Sequence, residues 1–130
     1  MRKHCRTGHE AVAAHGIMGA TMELEDFLAA AVDLLAVRST AERPKQLLEA
    51  VEFVVGFVGP GFRVEWFESN GKPSALVYPD RPHDGAERPE FRVIFNAHVD
   101  VVPGEDEQFR PRRDGRRLYA RGAQDRKSVV

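Results

Sequence analysis

The sequence has a single cysteine, Cys5, so it can form neither an internal disulfide nor a cysteine-based zinc site. No apolar run approaches the roughly 18 residues that cross a membrane. The 19 lysines and arginines nearly balance the 20 aspartates and glutamates, so no global field favours nucleic acid or acidic lipid. The N-terminus begins basic, but His15 and two glycines interrupt its apolar part, which makes it a poor signal peptide. We therefore expect a cytoplasmic protein with no membrane or nucleic-acid partner.

The length and composition of the chain fit one globular domain. The 130 residues are 42% hydrophobic and 30% charged, which is typical of a soluble chain that can bury a core. Residues 1–20 are polar and have no clear period, so we expect a disordered leader there. The alternative is a metal-binding tail built from the histidines and cysteine of that stretch, His4, Cys5, His9 and His15.

Two stretches have apolar residues at helical spacing. The first covers 24–35 and has acidic residues in its first turn, where the helix dipole favours negative charge. Ser39 and Glu42 have the spacing of a capping box for a second helix, and Pro44 falls early, where a helix tolerates proline. The apolar stripe of this second helix reaches Gly-Pro-Gly at 59–61, which predicts its end.

The spacing of the apolar residues then changes from the helical period to the alternation that is typical of strands. Alternation over 62–66 predicts a half-buried strand, and a turn at 69–72 leads to a second strand at 75–78. After the polar loop at 80–89, FRVIFNA (91–97) is apolar on both faces and predicts a third strand inside a partly parallel sheet. The predicted fold class is α/β, with two helices followed by a mixed sheet.

His98 and Asp100 follow this third predicted strand directly. Ligands of open α/β sheets bind beyond the carboxyl ends of the strands, and side chains at i and i+2 of an extended chain face the same way. An imidazole is a good zinc ligand, and a nearby carboxylate can accept its other ring N–H. An H-x-D triplet alone also fits an ordinary loop histidine beside an aspartate.

The C-terminal stretch is rich in arginine. Residues 110–127 contain eight basic side chains against Asp114 and Asp125. A nucleic-acid interface is one interpretation, although Phe109 and Tyr119 are the only aromatic residues close by. We favour a solvated surface near an anionic substrate.

The segments HVDVVPG (98–104), QF (108–109) and DGRRLYARGAQD (114–125) together resemble one family. It is that of the co-catalytic zinc metallopeptidases and deacylases, which include aminoacylase, acetylornithine deacetylase, succinyl-diaminopimelate desuccinylase and the glutamate-releasing carboxypeptidases. Its signature is a His-x-Asp triplet that continues into Val-Val-Pro, then a Leu-Tyr-Gly-Arg-Gly-Ala-like segment that ends in aspartate. The resemblance implies a partial metallopeptidase catalytic domain over 21–130, without the family's dimerisation domain.

The resemblance also implies roles for three residues. His98 would ligate a metal ion, Asp100 would be the catalytic-site residue that orients the imidazole, and Asp125 would bridge two metal ions. The implied cofactor is zinc, two ions in the complete site, with cobalt or manganese as alternatives. The implied reaction is hydrolysis of the amide bond of an N-acyl amino acid or small peptide by a water that two metals activate. Gly122 would allow a close backbone approach near the turn before Asp125.

The sequence departs from the family pattern at several points. Ala120 replaces the glycine of Leu-Tyr-Gly-Arg-Gly, and Arg-Lys-Ser (126–128) stands where Met-Lys-Gly is usual. The family's downstream Glu-Glu pair, later carboxylate and distant histidine have no counterparts. We therefore expect a truncated metallohydrolase that is inactive alone. The alternative is a non-catalytic remnant or binding module with a partial metal site, and the oligomeric state is left open.

Overall fold

The computed structural model describes residues 23–80 and 90–123. In chain order the elements are helices α1 (Leu24–Ala36) and α2 (Pro44–Val55), strands β1 (Phe62–Ser69) and β2 (Lys72–Pro79), a one-turn 3₁₀ helix (Asp106–Phe109), and strands β3 (Arg112–Asp114) and β4 (Arg117–Tyr119). The fold is mixed α/β. In the described part, the strands form two separate antiparallel pairs instead of the predicted mixed sheet. Neither helix of that part is long and apolar enough to span a membrane.

Both predicted helices are confirmed, but the predicted start of α2 is wrong. Ser39 and Glu42 form no capping box, and no side chain caps the helix, which begins at Pro44. Proline disfavours the helical conformation in the residue before it, and Arg43 accordingly has φ −121° and ψ 72°. The helix therefore cannot extend back to residue 40. It ends at Val55, earlier than the Gly-Pro-Gly segment that the sequence indicated.

The predicted hairpin is confirmed, with strands longer than expected. β1 pairs with β2 from Phe62 opposite Pro79 to Ser69 opposite Lys72. Asn70 and Gly71 form the two-residue connection, with φ values of 52° and 73°. Positive φ at both positions is what the right-handed twist of the flanking strands requires, and asparagine followed by glycine adopts it at low cost.

The small core lies where α2 packs against β2. Its buried residues are Leu47 and Ala50 of the helix and Tyr78 of the strand. The hydroxyl of Tyr78 donates to Oε1 of Glu65 at 2.5 Å, and this hydrogen bond to a carboxylate raises the pKa of the tyrosine. The hydroxyl of the buried Tyr78 therefore has a hydrogen-bond acceptor on the other strand of the hairpin.

The predicted third strand is wrong for the described structure. Residues 91–97 pair with no strand there, and Val93, Ile94 and Phe95 are 68%, 65% and 92% exposed. Phe91 makes an edge-to-face ring contact with Tyr78 at 5.4 Å. The apolar sequence indicates a tendency to be buried, but a strand also needs a neighbour to accept its backbone hydrogen bonds.

A surface ion pair connects α1 to the second hairpin. The Arg113 guanidinium donates to both carboxylate oxygens of Glu25, at 2.8 and 3.1 Å. These hydrogen bonds and the charge of Arg113 lower the pKa of Glu25 below its usual value. The pair joins residues 88 positions apart in the chain, so it fixes β3 beside the first turn of α1.

We expect Glu25→Gln to destabilise the protein slightly at pH 7 and to have a smaller effect near pH 3. The folded-state pKa of Glu25 is depressed, so the pair contributes stability above about 4.5, the ordinary pKa, and loses it as the pH falls. Both side chains are exposed, so the difference in Tm at pH 7 should be small and salt-sensitive. Thermal melts at both pH values, with Glu23→Gln as control, measure it. An equal Tm difference at both pH values would contradict the prediction.

Candidate metal-binding site

Ser39 holds the H-x-D segment against the connection between α1 and α2. Its Oγ donates to the carbonyl oxygen of Val99 at 2.6 Å, and its own carbonyl accepts from the backbone N–H of Val101 at 3.0 Å. Ser39 and Thr40 are buried, so these hydrogen bonds are shielded from competing water. The residues on both sides of Asp100 are therefore fixed in place.

Gly122 packs against the same segment from another side. A Cβ at this position would lie 2.9 Å from Cγ1 of Val101 and 3.7 Å from Cδ2 of Leu35. Its φ of +87° also favours glycine. The close backbone approach predicted for Gly122 is confirmed, and it places Gly122 beside Val101, the residue that directly follows the H-x-D triplet.

The side chains of His98 and Asp100 are in contact. Nδ1 of His98 lies 3.1 Å from Oδ1 of Asp100 and 3.0 Å from the backbone carbonyl oxygen of the same residue. Both oxygens are acceptors, so this geometry favours the tautomer in which Nδ1 carries the proton. In the neutral ring, the lone pair is therefore on Nε2. This is the tautomer that can bind a metal through Nε2.

The pair is accessible and adjoins a cavity of about 650 Å³. The His98 and Asp100 side chains are 35% and 54% exposed, so a ligand can reach them. The other walls of the cavity come from α2, β2 and residues 91–97, and they are mainly apolar. The arrangement offers one ligating nitrogen with an orienting carboxylate, beside space lined by hydrocarbon.

A second set of contacts joins the QF segment (108–109) to the segment 114–125. The side-chain carbonyl of Gln108 accepts from the backbone N–H of Glu105 at 3.1 Å and from Nη2 of Arg121. The Arg121 backbone N–H donates to the Gln108 carbonyl at 2.7 Å. Gly104 lies under both side chains, and a Cβ there would collide with them.

The structure brings together two of the three predicted site residues. His98 and Asp100 are adjacent, and Asp125 lies outside the described residues, as do His4, Cys5, His9 and His15. Within 23–80 and 90–123, no three His, Cys, Asp or Glu side chains are grouped so that they could hold a metal ion. The pair fits one part of a metal site, and the metal-related roles of all three residues stay predictions.

Sequence reasoning missed the residues that support the pair. Ser39 was interpreted as a helix cap, and its bonds to residues 99–101, some 60 positions away, leave no local pattern. The β3–β4 hairpin was missed as well. A signal for it exists in Gly115-Arg116, the two residues between the paired Asp114 and Arg117, because glycine is favoured at the first position of one type of two-residue hairpin turn, and Gly115 has φ +56°.

We expect Ser39→Ala to lower the free energy of unfolding by about 1–2 kcal/mol, because a buried hydrogen bond to the Val99 carbonyl is lost. Urea denaturation measures this change. Ser69→Ala, at the exposed end of β1, is the matched control and should change stability by less than about 0.5 kcal/mol. Equal effects of the two substitutions would show that the Ser39 contact does not hold the segment.

Gly122→Ala should cost about 1–3 kcal/mol, since the new methyl group meets Val101 and the backbone has a positive φ. Gly61→Ala is the control, because a Cβ there meets nothing within 4 Å. The same denaturation measurement compares them. A neutral Gly122→Ala would mean that the two segments are not in close contact.

A comparison with known families finds a match over the residues that carry the family-like segments. The matched stretch begins at residue 94, inside FRVIFNA (91–97). It contains the segments 98–104, 108–109 and 114–125, the last of which ends in Asp125. The match covers only part of the 130-residue chain, and it confirms the resemblance that the motifs indicated. Residues 94–130 match Peptidase family M20/M25/M40, a family of metal-dependent hydrolases, so this part of the chain is similar to part of a peptidase domain.

Proposed function

We propose that the chain carries part of the active site of a metal-dependent amidohydrolase. In this proposal His98 ligates the metal and Asp100 orients the imidazole, while Asp125 is the bridging carboxylate. The observation that carries the proposal is the contact of 3.1 Å between Nδ1 of His98 and Oδ1 of Asp100. A ligating histidine that binds a metal through Nε2 typically donates its Nδ1 proton to such a carboxylate.

The chemistry of the pair suits zinc, and it also suits cobalt or manganese. A bound zinc ion would supply Lewis acidity toward an amide carbonyl oxygen. Asp100 accepts a hydrogen bond from Nδ1 of His98, which restricts rotation of the ring. Ser39 and Gly122 support this arrangement by holding the backbone on either side of Asp100.

The proposed substrates are N-acyl amino acids or small peptides, the class that the family resemblance implies. The cavity beside His98 supports such a substrate, because its volume of about 650 Å³ and its apolar walls suit an acyl group or an apolar side chain. The reaction is hydrolysis of an amide bond.

A second candidate is a non-catalytic module with a partial metal site. Asp100 is already engaged with the imidazole, so within the described residues the pair offers one metal donor, Nε2. A single imidazole binds a metal ion weakly. Under this alternative, the chain binds metal without hydrolysing an amide.

Metal titration of the full chain tests the role of the pair. We expect Zn²⁺ or Co²⁺ binding by calorimetry to weaken about 10–100-fold in Asp100→Asn, and at least as much in His98→Ala, because the orienting group or the ligand is removed. His83→Ala is the matched control, a histidine outside the H-x-D motif, and should bind like the unaltered chain. Metal affinity unchanged in His98→Ala would overturn the proposal.

An activity assay tests whether the chain hydrolyses amides by itself. The metal-loaded chain is incubated with N-acetylated amino acids, and the released free amine is measured against His98→Ala. We expect release to stay at the blank, because the proposal places only part of an active site in the chain. Release that exceeds the blank and disappears in His98→Ala would overturn both this expectation and the binding-module alternative.

A further inference from the structure

A second cavity, of about 1240 Å³, lies on the C-terminal side of the H-x-D segment. Its walls come from Val101 and Val102, the 3₁₀ turn, and the β3–β4 hairpin with the residues after it. Four arginines line it, and Glu107 is the one acidic residue among its lining residues. The arginines are Arg110, Arg112, Arg117 and Arg121. The cavity therefore carries an excess of positive charge.

The carboxylates around this cavity do not neutralise the excess. Asp106 pairs with Arg38 at 2.6 Å, and Glu25 pairs with Arg113, which is not a lining residue. Asp114 lies 3.9 Å from the guanidinium of Arg112, at the limit of an ion pair. Within the described residues, Arg110 and Arg117 form no ion pair. The pKa of Asp106 is lowered mainly by its hydrogen bond to Arg38, and the charge of Arg110 lowers it further.

Two of the four guanidinium groups are held in position. Arg112 lies over the Tyr119 ring at 4.6 Å, and Arg121 donates to Gln108. Nε of Arg121 is also buried and has no hydrogen-bond partner among the described residues. Fixed guanidinium groups lose little entropy on binding an anion, and their planar donors match the oxygens of a carboxylate or phosphate.

We propose that this cavity is a binding site for a small oxyanion, a carboxylate or a phosphate group. The inference goes beyond the proposed hydrolysis, because oxyanion binding needs neither a metal nor a general base. Single-stranded nucleic acid fits less well, since it binds by stacking bases on exposed aromatic rings. Tyr119, the aromatic ring that lines the cavity, has Arg112 over its face.

Calorimetry of the full chain at low salt, with succinate and inorganic phosphate as probes, tests the site. We expect saturable binding of at least one probe. Its affinity should fall roughly fivefold or more in Arg117→Gln and in Arg110→Gln, since a charged hydrogen-bond donor is lost. Arg116→Gln is the matched control, because it removes the same charge from the same hairpin at a residue that does not line the cavity. Its affinity should stay within about twofold of the unaltered chain.

The outcomes separate the sources of the oxyanion. Binding of succinate alone assigns the site to carboxylates, and binding of phosphate alone assigns it to phosphate groups. No saturable binding, or equal losses in Arg116→Gln and Arg117→Gln, would overturn the proposal. It would equally be overturned if an oligothymidylate bound while neither small anion did. Arg110 lies outside the hairpin, so Arg110→Gln keeps the test valid if Arg117→Gln perturbs β4.

Discussion

The two hydrogen bonds between Ser39 and residues 99–101 are the constraint on which the candidate site depends. They join the connection after α1 to a segment that has no strand partner among the described residues. Without a ladder to hold it, the backbone around His98 and Asp100 takes its position from this buried serine and from the close approach of Gly122. The helical N-terminal part thus positions a motif that lies 60 residues further along the chain.

Local patterns in the sequence predict local structure well here. Apolar spacing predicts α1 and α2, and Asn70-Gly71 between alternating strands predicts the β1–β2 hairpin. These elements depend on contacts within a few residues, which a single sequence displays directly. The capping box at Ser39 shows the limit of such patterns. The spacing was right for a cap, but Pro44 sets the helix start and a distant carbonyl takes the serine hydroxyl.

Contacts between distant residues account for what could not be predicted. FRVIFNA (91–97) has the composition of an interior strand, and composition does not specify whether a neighbouring strand is present. For the site, the i, i+2 spacing indicated that His98 and Asp100 would face the same way, and the structure places their side chains together. The hydrogen bond from Ser39 that supports the pair could not be predicted from local spacing, because Ser39 and Val99 are 60 positions apart in the chain. The tie between Gln108 and Arg121 likewise joins two motifs that the sequence presents separately.

The exposure of residues 91–97 has a consequence for the behaviour of the protein in solution. Among the described residues, this backbone pairs with no strand, and it lies next to exposed Val93, Ile94 and Phe95. Such a segment is of the type that adds edge-to-edge to another chain. Arg92 is the one charged residue within the segment. It opposes in-register pairing of two such segments, because the Arg92 side chains of the two chains would then repel each other. Self-association should therefore increase with protein concentration and with salt, which screens that repulsion.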